Sequence, residues 1–557
     1  MKKIVFFSFL VFLFCVQNVF GQSTSDSLSV TLSEVDVNAR RNQIYTGAGR
    51  VVTVVEREAI QRMPIQSVDE LLESVAGIDI RQRGVGGTQS DISIRGGSFD
   101  QVLVLLNGVN ITDPQTGHYN LDVPVELSDI VRVELLQGSV ARIYGPNAFS
   151  GAVNIVTEKK ETSTISVQTA GGSYNSFIQN LSAGIGNGQM QSFFSVTRKS
   201  SDGYIANTDF DIKNIFSQSI LNTKSAGKFG LQLAYQKKSY GANGFYSLAY
   251  PNQFDHTKTI YGALDWKQTI SAKVNLTAQL YSRQHYDRFE LFRDMENAAS
   301  WYKGHNYHLT DVKGARAVLA LLTQYGNFQL GADVRNEHIY STVLGNNLNE
   351  AVQNKFDKDI YFTKASQRFL PGFFADYALS VQSLFLSAGF SHTFSSQFGD
   401  FTAGGFEVAY HFTDNFKVFV LANSAVRLPT FTDLYYKSAT QNANPDLRPE
   451  HARTIELGTK FEKKNMKVSG ALFYRMGGNV IDWVKEPDST RWESRNLTEV
   501  NVFGIDFSTE YRFHTSFIKK MALSYSFLTM DKSAGSYDSK YALDYLKNKL
   551  ILSADHN

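Results

Sequence analysis

From about Ser163 onward, apolar side chains fall on every second position. Leu384, Leu386, Ala388 and Phe390 alternate with Phe385, Ser387, Gly389 and Ser391. Met521, Leu523, Tyr525 and Phe527 alternate with Ala522, Ser524 and Ser526. Successive side chains of a strand point to opposite faces, so this period predicts strands with one apolar face and one small or polar face. A soluble sandwich gives the same alternation, and length separates the two. Segments such as Lys228 to Tyr240, Thr257 to Thr269 and Val274 to Tyr286 run past the usual soluble strand and suit a wall between lipid and a polar lumen. Strands crossing a bilayer must close on one another, because an open edge in lipid leaves backbone groups unpaired.

The connections alternate short and long. Asn187-Gly188 and Thr413-Asp-Asn415 are short and are expected on one side. Gly241 to Asp255, Phe289 to His305, Leu344 to Asp357, Leu428 to Pro449 and Lys485 to Arg495 are long and are expected on the other. The long ones carry Phe245, Tyr246, Tyr250, Phe292, Trp301, Tyr302, Tyr435 and Tyr436. An interfacial girdle accounts for about half of such aromatics.

Upstream, Pro64 to Thr157 has a different texture. Ser67-Val-Asp-Glu70 reads as a capping box before the apolar positions Leu71, Leu72 and Val75, with Gly77 as the stop. Gly84-Val-Gly-Gly-Thr88, Ile92-Ser-Ile-Arg-Gly-Gly97, Val102-Leu-Val-Leu-Leu-Asn-Gly-Val109 and Ile130 to Gly138 alternate strand-like runs with glycine turns. Ile143-Tyr-Gly-Pro-Asn-Ala-Phe-Ser-Gly-Ala-Val-Asn-Ile-Val-Thr157 closes the segment. This predicts a small mixed α/β domain, with Gln43 to Glu56 as its first strand. The glycine run lacks a Walker lysine and a following helix, so it reads as a turn-rich loop and not a phosphate cradle.

At the amino end, Lys2 and Lys3 precede the apolar run Ile4 to Val16, and Val19-Phe-Gly21 resembles a signal-peptidase site. Cys15 is the only cysteine, so the exported chain forms no disulfide and has no catalytic thiol. Phe14 before it is too large for a lipoprotein signal. Removal of Lys2 and Lys3 takes the net charge from +2 to zero, which gives no footprint for a nucleic-acid partner. Aromatics at 13% with ten prolines suit a strand-rich membrane protein.

Taken in order, Pro64 to Thr157 resembles the plug domain of TonB-dependent outer-membrane receptors. Arg427-Leu-Pro-Thr-Phe-Thr-Asp-Leu-Tyr435, followed by Asn444-Pro-Asp-Leu-Arg-Pro-Glu450, is similar to barrel motifs of the same receptors. The resemblance implies a signal peptide at 1–21, a periplasmic tail at 22–42, a plug at 43–160 and a transmembrane β-barrel at 161–557. The expected fold is an antiparallel β-barrel of the 22-strand type with the plug in its lumen. Only roughly eighteen alternating segments follow Ser163 and no terminal aromatic closes the chain, so the last strands are expected to be missing, with a gap near Ser163 and Leu550.

The resemblance also assigns sites. Thr31-Leu-Ser-Glu-Val-Asp-Val-Asn38 alternates like an edge strand. Just before a plug it resembles a TonB box, assigned to Leu32, Ser33, Glu34, Val35, Asp36 and Val37, which adds to the sheet of a TonB-type periplasmic protein. Arg95 is expected to meet lumen carboxylates at Glu456 and Asp506, holding the plug in register. The family's second plug arginine is here Gln137. Ligand contacts are expected from Gln115, His118 and Tyr119 in the polar loop Thr112 to Asn120, and from Tyr246, Tyr250, Trp301, Tyr302, Tyr435 and Tyr436. His118 has no second histidine at ligand spacing, so it reads as a solvated loop residue, and no metal or cofactor site is expected. The implied function is energy-coupled uptake of a scarce ligand, a ferric siderophore or a cobalamin-like corrinoid, by a monomer in outer-membrane lipid. A glycan receptor of the same family, a passive barrel or adhesin, and an outer-membrane enzyme are the rivals. No nucleophile elbow or HExxH supports the last.

Overall fold

The computed structural model describes residues 52–157, 163–246, 248–293, 295, 298–514, 517–533, 537–542 and 544–556. The signal segment, Leu32 to Val37 and the first part of Gln43 to Glu56 lie outside the described residues. The plug strands are β1 (Val52–Glu56), β2 (Ile78–Gln82), β3 (Ser90–Ile94), β4 (Val102–Leu106), β5 (Val109–Asn110), β6 (Arg132–Gln137) and β7 (Gly151–Val156). Five form one mixed sheet in the order β1-β6-β7-β4-β5, with β4 and β7 parallel, while β2 and β3 pair separately. The all-apolar run of β4 follows from its place: all five residues are buried, so neither face needs polar side chains. Asn107 and Gly108 both take positive φ, 51° and 84°, as a tight turn from β4 to β5 demands.

The short helix Val68–Glu73 forms, but its expected capping box does not. Ser67 stands at the N-cap with no side-chain bond, and Glu70 accepts from Gln66 N at 2.7 Å instead. The Ser67 side chain is buried and its hydroxyl oxygen has no hydrogen-bond partner among the described residues. Capping boxes form elsewhere, at Ser98 with Gln101 and at Thr430 with Asp433.

The rest of the chain is an antiparallel wall around the plug. Among the described residues, eighteen long strands run from Thr164–Gly172 to Asn548–His556, with three short ones in the loops. Alternation is clearest in Glu450–Lys463, where Glu450, Ala452, Thr454 and Glu456 are buried while His451, Arg453, Ile455 and Leu457 are exposed. Turns at the plug's far end are short, as between Gly399–Thr413 and Phe416–Arg427. The long loops lie at the other end, and Leu344 to Asp357, expected as loop, contains a strand, Asn346–Gln353, that pairs with Tyr361–Val381. Strand order is cyclic, yet no paired register joins Asn548–His556 to Thr164–Gly172 among the described residues, and every residue of the latter is exposed. The barrel is therefore not closed at that seam. Barrel residues Phe193, Phe216, Ala234, Tyr261 and Ala263 share one apolar cluster with the plug's Val104, Leu106 and Ile155.

Candidate functional site

Two polar interfaces and an aromatic apex define the site. The first interface is built on Arg95, which follows β3 and holds φ at 49°. Its Nη1 lies 2.6 Å from Glu456 Oε2 and its Nε 2.8 Å from Asp506 Oδ2, with the arginine and glutamate side chains 1% exposed. The guanidinium also sits over the Phe473 ring at 4.3 Å. Gly138 beside it takes a left-handed backbone (φ 77°) that favours glycine, while a Cβ there would be only in ordinary contact with Arg95 Nη1, at 3.5 Å. Gln137 donates to Ala76 O, and the second guanidinium in this region comes from the barrel, where Arg475 Nη2 donates to Arg95 O at 3.2 Å. Burying Arg95, Glu456 and Asp506 together is tolerable because each is hydrogen-bonded to the opposite sign.

On the other side of the lumen the polarity reverses: plug carboxylates meet barrel cations. Asp113 Oδ2 lies 2.6 Å from Arg283 and 3.1 Å from His285, and Asp122 Oδ1 lies 2.8 Å from Lys238. Between the two regions, Arg427 binds three carboxylates, Glu450, Asp433 at 2.6 Å and the plug's Asp100 at 3.3 Å. Asp100 also accepts from Gly117 N at 2.6 Å, tying the loop Thr112 to Asn120 to the wall. Burial, and then repulsion from Asp433 and Glu450, outweigh Arg427 and push the Asp100 carboxyl up to about 7.

The apex carries aromatics and cations. His118 is not solvated as expected. Its Nδ1 lies 2.6 Å from Asp91 Oδ1, and its ring stacks on Phe99 at 4.2 Å with Tyr246 and Tyr541 edge-on at 5.8 and 5.6 Å. The loop around the short 3-10 turn Gly117–Tyr119 is buried at Thr112, Asp113, Gln115, Thr116, Tyr119 and Asn120, so a polar segment lies against polar walls. Arg83 binds the other oxygen of Asp91 at 2.6 Å and lies 5.8 Å from the Tyr246 ring centre. Burial raises the Asp91 carboxyl, but His118 and Arg83 outweigh it and hold it below the usual range. Lys540 stands over Tyr541 at 5.0 Å, and burial followed by repulsion from Arg83 pulls its ammonium down to about 8.

The other expected ligand contacts divide into separate groups. Gln115 and Tyr119 are buried and engaged by the wall, donating to Asp287 Oδ2 at 2.8 Å and Asp255 Oδ2 at 3.2 Å. Tyr250, Trp301 and Tyr302 gather around Phe292 in the long loops. Tyr435 hydrogen-bonds Ser366 and Gln397, and both Tyr435 and Tyr436 pack beside Phe431. Sequence reasoning missed Arg83, Asp91, Phe99, Asp100, Lys540 and Tyr541. Arg83 alone carried a local signal, a cation against the glycine loop; the others meet only in three dimensions. No group of His, Cys, Asp and Glu fit to hold a metal occurs among the described residues.

Family models decide the identity. The model described as "TonB-dependent Receptor Plug Domain" matches residues 47–152, and "TonB dependent receptor-like, beta-barrel" matches residues 158–556. The chain belongs to the TonB-dependent receptor family. It is similar to "Vitamin B12 transporter BtuB" of Vibrio vulnificus (strain YJ016), 23% identical over 96% of this chain and 83% of that one, and of Photobacterium profundum, 22% identical over 83% and 73%. Among solved structures it is similar to "Copper transporter OprC" (TM-score 0.72, 13% identity, 87% and 80% covered). It also resembles the siderophore receptor PirA from Pseudomonas aeruginosa (TM-score 0.66, 14% identity, 86% and 85% covered). At these identities the structures establish the fold. TonB-dependent receptors are outer-membrane transporters, so the strands described above cross the outer membrane, and ligand uptake is coupled to a TonB partner.

Proposed function

We propose that this receptor takes up a large, π-rich metal chelate, of the ferric siderophore or corrinoid class, bound over the plug apex. The observation that carries this reading is the patch of Arg83, His118, Tyr246, Lys540 and Tyr541, which offers aromatic faces and two cations to one ligand. Two cations among aromatics favour an anionic chelate, a siderophore. The vitamin B12 transporters named above favour a corrinoid.

Ligand at the apex competes for His118 and Arg83, the two partners of Asp91. Asp91 lies in β3, and Arg95 follows that strand directly, so a shift of β3 reaches the contact with Glu456 and Asp506. Ligand has to prefer the shifted plug for this to act as a signal. The tether bearing Leu32 to Val37 then engages the TonB-type partner by strand addition. The domain limits 22–42, 43–160 and 161–557 belong to the same proposal.

The test is a binding titration of the purified receptor with a ferric catecholate and with cyanocobalamin, followed by quenching of intrinsic fluorescence. Arg83→Ala is expected to weaken the true ligand at least tenfold. Unchanged affinity for every chelate that binds would reject the apex as the ligand platform.

A further inference from the structure

On the outer surface of the wall, one row of side chains is cationic across four consecutive strands. Arg198 pairs directly with Lys213, Lys213 with Lys237, and Lys237 with Lys258. All four point away from the lumen: their neighbours Lys199, Asn214, Lys238 and Thr257 face inward and bind the plug residues Glu126 and Asp122. Strand spacing sets the row at about 14 Å long. Like charges placed directly opposite one another destabilise a sheet, so the row needs anions.

The protein supplies few. Asp211 bridges Arg198 at 3.0 Å and Lys213 at 3.2 Å. Lys237 and Lys258 form no salt bridge among the described residues. Lys258 Nζ instead lies over the rings of Tyr286 and Phe356, at 5.1 and 5.3 Å, with Asp357 near but outside ion-pair range. His256 and Arg288, next outward, add no free carboxylate, since Arg288 already holds Glu290 at 2.8 Å.

The row's height identifies the missing anion. One step toward the short-turn end lies a matching row, Val196, Ile215, Tyr235 and Ile260, and three of these are large exposed hydrophobics at 37%, 41% and 40%. One step toward the long loops lie Ser200, Asp211, Ser239 and His256. The cations thus stand at the outer border of the apolar band, where lipid headgroups begin. We infer that Arg198, Lys213, Lys237 and Lys258 form a binding site for the phosphate-bearing headgroups of anionic lipid in the outer leaflet.

The full-chain receptor in zwitterionic detergent is titrated with a diphosphorylated outer-leaflet glycolipid, with phosphatidylcholine and with inorganic phosphate, and bound molecules are counted by native mass spectrometry. The glycolipid is expected to bind, phosphatidylcholine far more weakly, and inorganic phosphate at the same ionic strength neither to bind comparably nor to displace it. The triple variant Lys213→Gln, Lys237→Gln, Lys258→Gln is expected to lose roughly 100-fold in glycolipid affinity. Lys213→Arg, Lys237→Arg, Lys258→Arg is expected to keep it, which controls for assembly. Equal binding by parent and glutamine variant, or equal binding of phosphatidylcholine, overturns the proposal. Tight binding of inorganic phosphate alone would replace the lipid by a free anion and overturns it as well.

Discussion

Removing the Arg95 guanidinium leaves Glu456 and Asp506 facing each other inside the wall with no plug cation between them. Arg95 is 2% exposed and makes contacts of 2.6 and 2.8 Å to the two carboxylates. Losing one partner of a buried, hydrogen-bonded ion pair costs about 3–5 kcal/mol. The parent and Arg95→Ala share the left-handed backbone at this position, so the difference reports the side chain. At a factor of about ten per 1.4 kcal/mol, the plug of Arg95→Ala should leave its seat roughly two to four orders of magnitude more often. The assay is leakage of a small dye from proteoliposomes holding the parent or the variant, with urea added to bring the parent into range. Adding Glu456→Gln and Asp506→Asn to Arg95→Ala should recover most of the loss, because the uncompensated charges are gone. Leakage of Arg95→Ala equal to the parent's would refute the assignment of plug seating to this contact. A triple variant as leaky as the single one would refute its electrostatic cause.

Other outcomes follow from the same geometry. Asp100 in the seated plug binds its proton up to about pH 7, well above the ordinary value of 3.8, so the seated state holds more protons than the unseated one between those limits. Seating should therefore weaken as pH rises from 4 to 7, by at most about 4 kcal/mol, and level off above; in Asp100→Asn the dye leak should lose this pH dependence. Val35→Pro should abolish accumulation of labelled ligand in energised cells while leaving low-temperature surface binding intact, and Val35→Ala should be mild, because proline removes a backbone donor from the added strand. Asp91→Asn should keep ligand binding within a few-fold but break the link from ligand to tether, seen as loss of ligand-dependent protease exposure of residues 22–42. Lys540→Gln should weaken an anionic chelate above all below pH 8, where the ammonium is charged, and leave a neutral corrinoid unchanged.

The period-two pattern was enough to specify the wall, because each strand's side chains are sorted between lipid and lumen by local alternation alone. It sufficed for the strand number and the short and long turns, while the open seam near Ser163 and Leu550 was expected only by setting that number against the 22-strand barrel of the resembling family and the missing terminal aromatic. The pairing of Arg95 with Glu456 and Asp506 was legible only through family motifs, since nothing in their spacing brings residues 361 and 411 positions apart together. What needed the tertiary structure was every site that joins plug to wall. His118 looked solvated because its neighbours in sequence are polar, yet folding sets it between Asp91, Phe99, Tyr246 and Tyr541. The Ser67 to Glu70 capping box was a local expectation that did not form, because Glu70 accepts from Gln66 N and the buried Ser67 hydroxyl bonds nothing among the described residues. The cationic row on the outer face depends on strand register, and a shift of one residue would turn all four side chains into the lumen.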